Sequence, residues 1–414
     1  MRILITNLFL ANNSGSETVV ELLADGLRRA GHSPMILAPT LGPQADSMRA
    51  RGHVLVDRVA ALPARPDLIH AQHTPVALSA FAAFPDVPAI FSCHSPLFEV
   101  EAPRPHPQIR RWIAVDELCR QRCLARGVPA EHLTVIPNTV DMDRFARRPP
   151  LPSRPRRALL LTKNHEHQAA VRAVCLEQRL LLDELGPATG RFSTRIEQEL
   201  LNYDLVFATE RMALEAAVVG CAVIVGDARG FAGLLTSERL PAWRALNFGT
   251  GLMTRPTTRD ALRQAIDQYD AADATALTDS LRTQGSVDES IAQHLAVYGA
   301  ALADPGPMDP VAHAMATAAW IEDLVPSAPA RAWHIVAREI FRVHAVPPAE
   351  ALLAMEQRIR EEIGHQAAET RNALTGLTVA DAVRVLWWRF FPAAIRRRMG
   401  RSRSRLGSSA QQEP

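Results

Sequence analysis

The chain has 414 residues, 47% of them apolar and 22% charged, with a formal net charge of +2. That length exceeds what a single hydrophobic core usually serves, so two domains with an appendage are expected. So small a net charge excludes a global basic field for nucleic acid or acidic polymers, and any cationic site must be local.

From the amino terminus, the apolar opening at 1–10 is broken by Thr6 and Asn7 and meets no small-residue cleavage site, so it reads as a buried strand rather than a leader. A short polar loop at 12–16 follows. Val19, Leu22, Leu23, Leu27 and Ala30 then share one helical face that stops at Gly31. Strand, glycine-containing loop and helix make a Rossmann-like opening. Short apolar runs at 35–38, 54–56, 68–70, 89–92, 112–115 and 133–136 alternate with helical patterns, the signature of a parallel sheet with crossover helices.

At 147–157 the chain turns into arginine and proline, which predicts a linker, and the pattern restarts with a strand at 158–161. Further strands are expected at 205–208 and 222–225, with a helix at 212–219 between them. The expected organisation is therefore a first Rossmann-like domain at 1–147, a linker at 148–157, a second Rossmann-like domain at 158–300 and a helical extension at 301–414. The extension ends in Trp387, Trp388, Arg396, Arg397 and Arg398, with a polar, disordered tail after them. Two readings of that cluster stay open: a helix lying on an anionic membrane surface, or aromatics packed on the protein's own core with the arginines facing water.

Several segments resemble glycosyltransferase family 4 and its GT-B relatives. Val135-Ile136-Pro137-Asn138-Thr139-Val140-Asp141, followed by Phe145, is similar to the segment I-P-N-G-V-D-x-x-x-F that closes the family's first domain. Met212-Ala213-Leu214-Glu215-Ala216-Ala217 through Ile224 resembles its L-E-A-M-A-C-G-x-P-V-I segment, with Arg211 ahead of it. Asp67 to His73 and Phe91 to His94 resemble two strand ends carrying histidine, and Ser14-Gly15-Ser16-Glu17 stands where the family has G-G-x-E. These matches fall in the family's order over most of residues 1–240. The resemblance implies a GT-B fold, with two Rossmann-like domains facing a cleft. The first would bind acceptor and the second a nucleotide-sugar donor.

Sugar transfer from a nucleoside diphosphate leaves a departing diphosphate whose charge must be met by a metal, by cations or by backbone amides. The resemblance implies the last two, with no metal and no cofactor beyond the donor. Lys163, the sole lysine, and Arg211 are the candidate cations. Glu215 matches the glutamate that holds the donor ribose, and a glutamate in so apolar a helix needs a partner if buried. Asn138 joins the donor set. His94 matches the histidine near the transferred sugar, His73 and the Ser14–Glu17 loop are assigned to acceptor or phosphate, and His70 follows a similar argument.

Two departures from the family stand out. Phe207 occupies the place of a second glutamate that touches the sugar, with Glu210 nearby as a substitute, and the G-R-x-x-x-x-K-G signature is replaced by Thr162-Lys163-Asn164-His165-Glu166-His167. Asp141-Met142-Asp143 and His165-Glu166-His167 are read as lacking metal function.

The expected protein is a retaining, metal-independent bacterial glycosyltransferase moving a sugar from a UDP- or GDP-sugar to a saccharide or lipid-linked acceptor. Five scattered cysteines, odd in number, suit a reducing cytoplasm, with the inner membrane face as a further option. The rivals are a catalytically degenerate scaffold, favoured by Phe207, and a GT-B sugar-nucleotide epimerase.

Overall fold

Alternate residues of a strand face opposite sides of its sheet, so a strand covered on both sides must be apolar throughout. The middle of the opening strand Arg2–Thr6 meets that condition, sending Ile3 and Ile5 into one core and Leu4 into another. The computed structural model describes residues 1–11, 15–193, 195–304, 306 and 309–324. Within it this strand sits centrally in a seven-stranded parallel sheet, in the order Val54–Val56, Ser33–Leu37, Arg2–Thr6, Leu68–Ala71, Ala89–Cys93, Ile109–Ala114 and Leu133–Val135. Every run expected to be a strand in this half is one.

The second sheet repeats the logic. Leu159 and Leu161 enter one core, Ala158 and Leu160 the other. Its order is Leu181–Leu185, Arg157–Leu161, Leu205–Ala208, Ala222–Asp227 and Gly230–Leu234, the last strand antiparallel. Two of these strands were not legible in the sequence. Leu181–Leu185 is an edge strand that carries Asp183 and Glu184, and Gly230–Leu234 carries two glycines.

The halves are divided differently from the expectation. Ile136 belongs to the first sheet's core, while Val140 and Phe145 already belong to the second's. The stretch at 148–157 is not a free linker. Arg148 Nη2 lies 2.8 Å from Asp204 Oδ1, and Asp204 Oδ2 accepts the amides of Arg156 and Arg157 at 2.9 and 3.1 Å, which straps the proline-rich segment to the second half. The chain then returns. The helix Ala271–Gln284 gives Leu277 and Leu281 to the second half, whereas Val287–Ala303 gives Ile291, Val297, Tyr298 and Ala301 to the first. The second domain was expected to run to 300. Periodicity identifies a helix without saying which sheet it covers.

The helix Pro310–Leu324 also lies on the first half. Trp320 packs there against Phe81, Phe91 and His106, and its Nε1–H donates to Pro105 O at 3.2 Å. The rest of the expected extension, with Trp387, Trp388, Arg396, Arg397 and Arg398, lies outside the described residues, as does Ser14. No helix among the described residues is long and apolar enough to cross a membrane.

Candidate functional site

In open parallel sheets, ligands bind outside the carboxyl ends of the strands where the strand order reverses. In the second sheet that point lies between Arg157–Leu161 and Leu205–Ala208. Lys163 follows the first of these strands. Glu210 opens the helix Glu210–Val219 that follows the other, and Arg229 sits in the turn after the next strand, Ala222–Asp227. Neighbouring strands thus deliver three charged side chains to one place. Glu210 Oε2 lies 3.2 Å from Lys163 Nζ, and Glu210 Oε1 lies 2.9 Å from Arg229 Nη1. Arg229 is held in turn by Asp227 Oδ2 at 2.7 Å and by Thr250 Oγ1 at 3.1 Å. Burial opposes ionisation of Glu210, but Lys163 and Arg229 outweigh it and hold the carboxyl below its ordinary pKa.

Backbone geometry marks the same spot. Glu210 has φ +57°, in the left-handed region that non-glycine residues rarely adopt, and its amide donates to Phe248 O at 2.9 Å. Behind Lys163, Gly186 has φ +118°, and a Cβ there would lie 2.3 Å from Thr162 O. Only glycine lets the 186–190 turn pass so close to the Lys163 loop.

Arg211 and Glu215 lie on the same helix, one turn apart, with Arg211 Nε donating to Glu215 Oε1 at 2.7 Å. Their side chains are only 12% and 10% exposed. Burial pushes the Glu215 carboxyl up, and Arg211 offsets this in part. The partner that a buried glutamate requires is thus Arg211 itself. Arg211 Nη1 also reaches Thr139 O at 3.4 Å, in the segment where the chain passes between halves.

That segment borders two cavities. One, of about 40 Å³, gathers His94, Asn138, Arg211 and Ser92 with Ser290 and His294 from the returning helix. His94 Nε2 is buried there without a hydrogen-bond partner. Burial lowers the His94 pKa, with the Glu101 carboxylate opposing, so the ring is predominantly neutral at pH 7. The other cavity, about 370 Å³, lies between the outgoing segment, at Pro137 and Thr139, and the returning one, at Gln284 and Ser286, and Arg244 lines it. Burial pulls the Arg244 pKa down to about 10.

His73 stands just ahead of the helix Thr74–Ala83 with φ +60° and no side-chain bond to its first turn, and its Nε2 lies 3.2 Å from Glu101 Oε1. His70 is buried between Tyr298 and Ser92. Glu17 is fully buried and accepts the Ala11 amide. A Cβ on Gly15 would meet nothing within 4 Å, so no close approach of backbone requires glycine there. Ser16 is partly exposed in the first turn of that helix. Asp141 Oδ1 accepts the amides of Asp143 and Arg144 at 3.0 and 3.1 Å, a turn cap. Phe207 is buried in the second sheet's core.

Sequence reasoning missed Arg229, Glu101, Arg244 and His294. Arg229 had a legible signal, a polar Asp-Ala-Arg triplet at the carboxyl end of an apolar strand. Arg244 and His294 lie far along the chain from Asn138 and His70, which they meet, and Glu101 sits in a loop with no motif to mark it. Among the described residues, no group of three His, Cys, Asp or Glu side chains is placed to hold a metal ion.

Two Rossmann-like sheets of this order, the second with one antiparallel edge strand, joined by an outgoing and a returning segment, are the GT-B fold of glycosyltransferases. Residues 13–144 match the model of Glycosyltransferase Family 4. The chain is similar in structure to Alr3699/HepE of Anabaena in its complex with UDP-glucose (TM-score 0.55, 15% identity, covering 72% of this chain and 99% of that one). The same protein solved with UDP and glucose gives a TM-score of 0.53 at 14% identity, covering 71% and 99%. A search of curated proteins finds no match.

Proposed function

We propose that this protein is a retaining, metal-independent glycosyltransferase that moves a hexose from a UDP- or GDP-sugar to a saccharide or lipid-linked acceptor. The observation that carries the reading is the cluster of Lys163, Arg229 and Glu210 at the start of the helix Glu210–Val219. Two cations and a helix amino terminus meet there at the reversal point of the second sheet. That is the charge arrangement a departing diphosphate needs. Among the donors, UDP is favoured by the UDP and UDP-glucose complexes of the Anabaena protein. Arg211 and Asn138 share a cavity with His94, which supports a site built from both halves. Glu215, oriented by Arg211, is assigned to the donor ribose. All five cysteines are free and buried, in keeping with a cytoplasmic setting.

One observation favours a catalytically inactive scaffold instead. Phe207 lies inside the sheet, so the missing family glutamate has no counterpart at its own position. Glu210, three residues on, supplies a carboxylate at the end of the same strand.

A thermal-shift series with UDP, GDP, ADP and their sugars tests the reading. A ligand at a hundred times its Kd stabilises the native state by about 2.7 kcal/mol. UDP and UDP-sugars are expected to raise the melting temperature, and Glu215→Ala to remove that shift. If no UDP or GDP compound moves the melt, the nucleotide-sugar reading is wrong. The anomeric configuration of the product, read by NMR, decides retention.

A further inference from the structure

We propose that, before a donor binds, the Glu210 carboxylate stands in the place of the donor's diphosphate. Arg229 and Lys163 then form the diphosphate clamp once Glu210 swings away. This rests on the nucleotide-sugar reading above.

A carboxylate bridging two cations from separate loops does what a pair of phosphates would do. Glu210 Oε1 takes Arg229 at 2.9 Å and Oε2 takes Lys163 at 3.2 Å. A guanidinium fork and a compact ammonium are the two side chains best suited to phosphate oxygens. Arg229 does not depend on Glu210 for its position. Asp227 contacts its Nη2 at 2.7 Å and its Nε at 3.0 Å, and Thr209 Oγ1 lies 3.4 Å from Nη2. The guanidinium therefore stays in place when the glutamate leaves.

Exposure decides which pair on this helix can exchange. Lys163, Arg229 and Glu210 side chains are 52%, 36% and 30% exposed, against 12% and 10% for Arg211 and Glu215. Ion pairs reached by solvent contribute little, so an incoming dianion displaces them at small cost. A buried pair resists, because removing one partner strands the other charge. Glu210 is the exchangeable member and Glu215 the fixed one.

The backbone supports a side-chain role. Glycine at position 210 would accept φ +57° without strain, yet the residue is glutamate. Phosphates and the carboxylate cannot share the clamp, since like charges at that distance repel. Once displaced, Glu210 is left as a free carboxylate beside the bound donor.

The test is titration calorimetry of the full chain with inorganic pyrophosphate, UDP, GDP and uridine, on the parent, Glu210→Gln and Arg229→Ala. Removing the competing charge should tighten pyrophosphate and UDP in Glu210→Gln by about threefold to tenfold. Arg229→Ala should weaken both by about tenfold or more, with uridine unchanged in either variant. Should Glu210→Gln fail to fold, Glu210→Ala and Arg229→Ala carry the same comparison. UDP binding that is equal in all variants overturns the clamp and leaves the nucleotide reading standing. Pyrophosphate binding with the expected pattern, but no nucleotide binding, overturns that reading and keeps the clamp. If nothing binds, both fall.

Discussion

The hydroxyl of Tyr298 lies 2.6 Å from Nδ1 of His70, across 228 residues of chain. Burial holds His70 neutral, so one ring nitrogen donates and the other accepts, and both are paired, Nδ1 with Tyr298 and Nε2 with Ser92 Oγ at 2.7 Å. The returning helix is thereby locked to the strand Leu68–Ala71, next to the His94 cavity. Tyr298→Phe leaves a buried ring nitrogen unpaired, at a cost of about 1–3 kcal/mol. The urea midpoint should fall with the slope unchanged. An unaltered midpoint would show that water reaches His70 Nδ1.

His70, His106 and His294 are all held below the ordinary histidine value by burial, His106 and His294 to about 4. Their folded pKa values lie under the unfolded value of about 6.5, so the unfolded chain takes up protons first as pH falls. Stability is therefore full above that pH and drains away between it and about 4. The steepest slope is about 1.4 kcal/mol per pH unit for each histidine. Urea midpoints at pH 8, 7, 6 and 5 check this; a flat line from pH 7 to 5 rejects it.

Gly186→Ala places a methyl 2.3 Å from Thr162 O at φ +118°. The Lys163 loop must shift, so UDP affinity is expected to fall by about tenfold alongside the melting temperature. Gly190, at φ +67° with nothing within 4 Å of its Cβ, is the control. Gly190→Ala should lose about 1 kcal/mol of stability and keep its affinity.

Arg148 and Asp204 form a buried pair, 8% and 10% exposed. Arg148→Met leaves a buried carboxylate without its cation, a loss of about 3–5 kcal/mol. Pairing it with Asp204→Asn should recover part of that loss in chemical denaturation. If the double variant is no more stable than the single, the strap at 148–157 does not depend on this charge.

His94→Ala removes a ring from the first half while leaving the second-half residues Lys163, Arg229 and Glu215 in place. The expected result is a fall in kcat of about a hundredfold or more, with UDP affinity held within about twofold. Equal losses in binding and turnover would make His94 a structural residue.

The sequence alone determined the local pattern. Apolar runs of four to six residues separated by amphipathic stretches can bury their two faces only as parallel strands under crossover helices. Both sheets could therefore be read in advance, apart from the polar edge strand Leu181–Leu185 and the glycine-bearing Gly230–Leu234. Lys163 and Glu210 were legible because each sits just after a strand end, and Arg211 and Glu215 because their helix resembles a family segment and a glutamate in so apolar a helix needs a partner. Only the tertiary structure decided which charges meet. The pairing of Glu210 with Arg229 depends on strand order, and the return of 287–303 to the first sheet depends on a complementary apolar face nearly three hundred residues away. Periodicity carries neither fact, because it records which side of an element is apolar and not what lies against it.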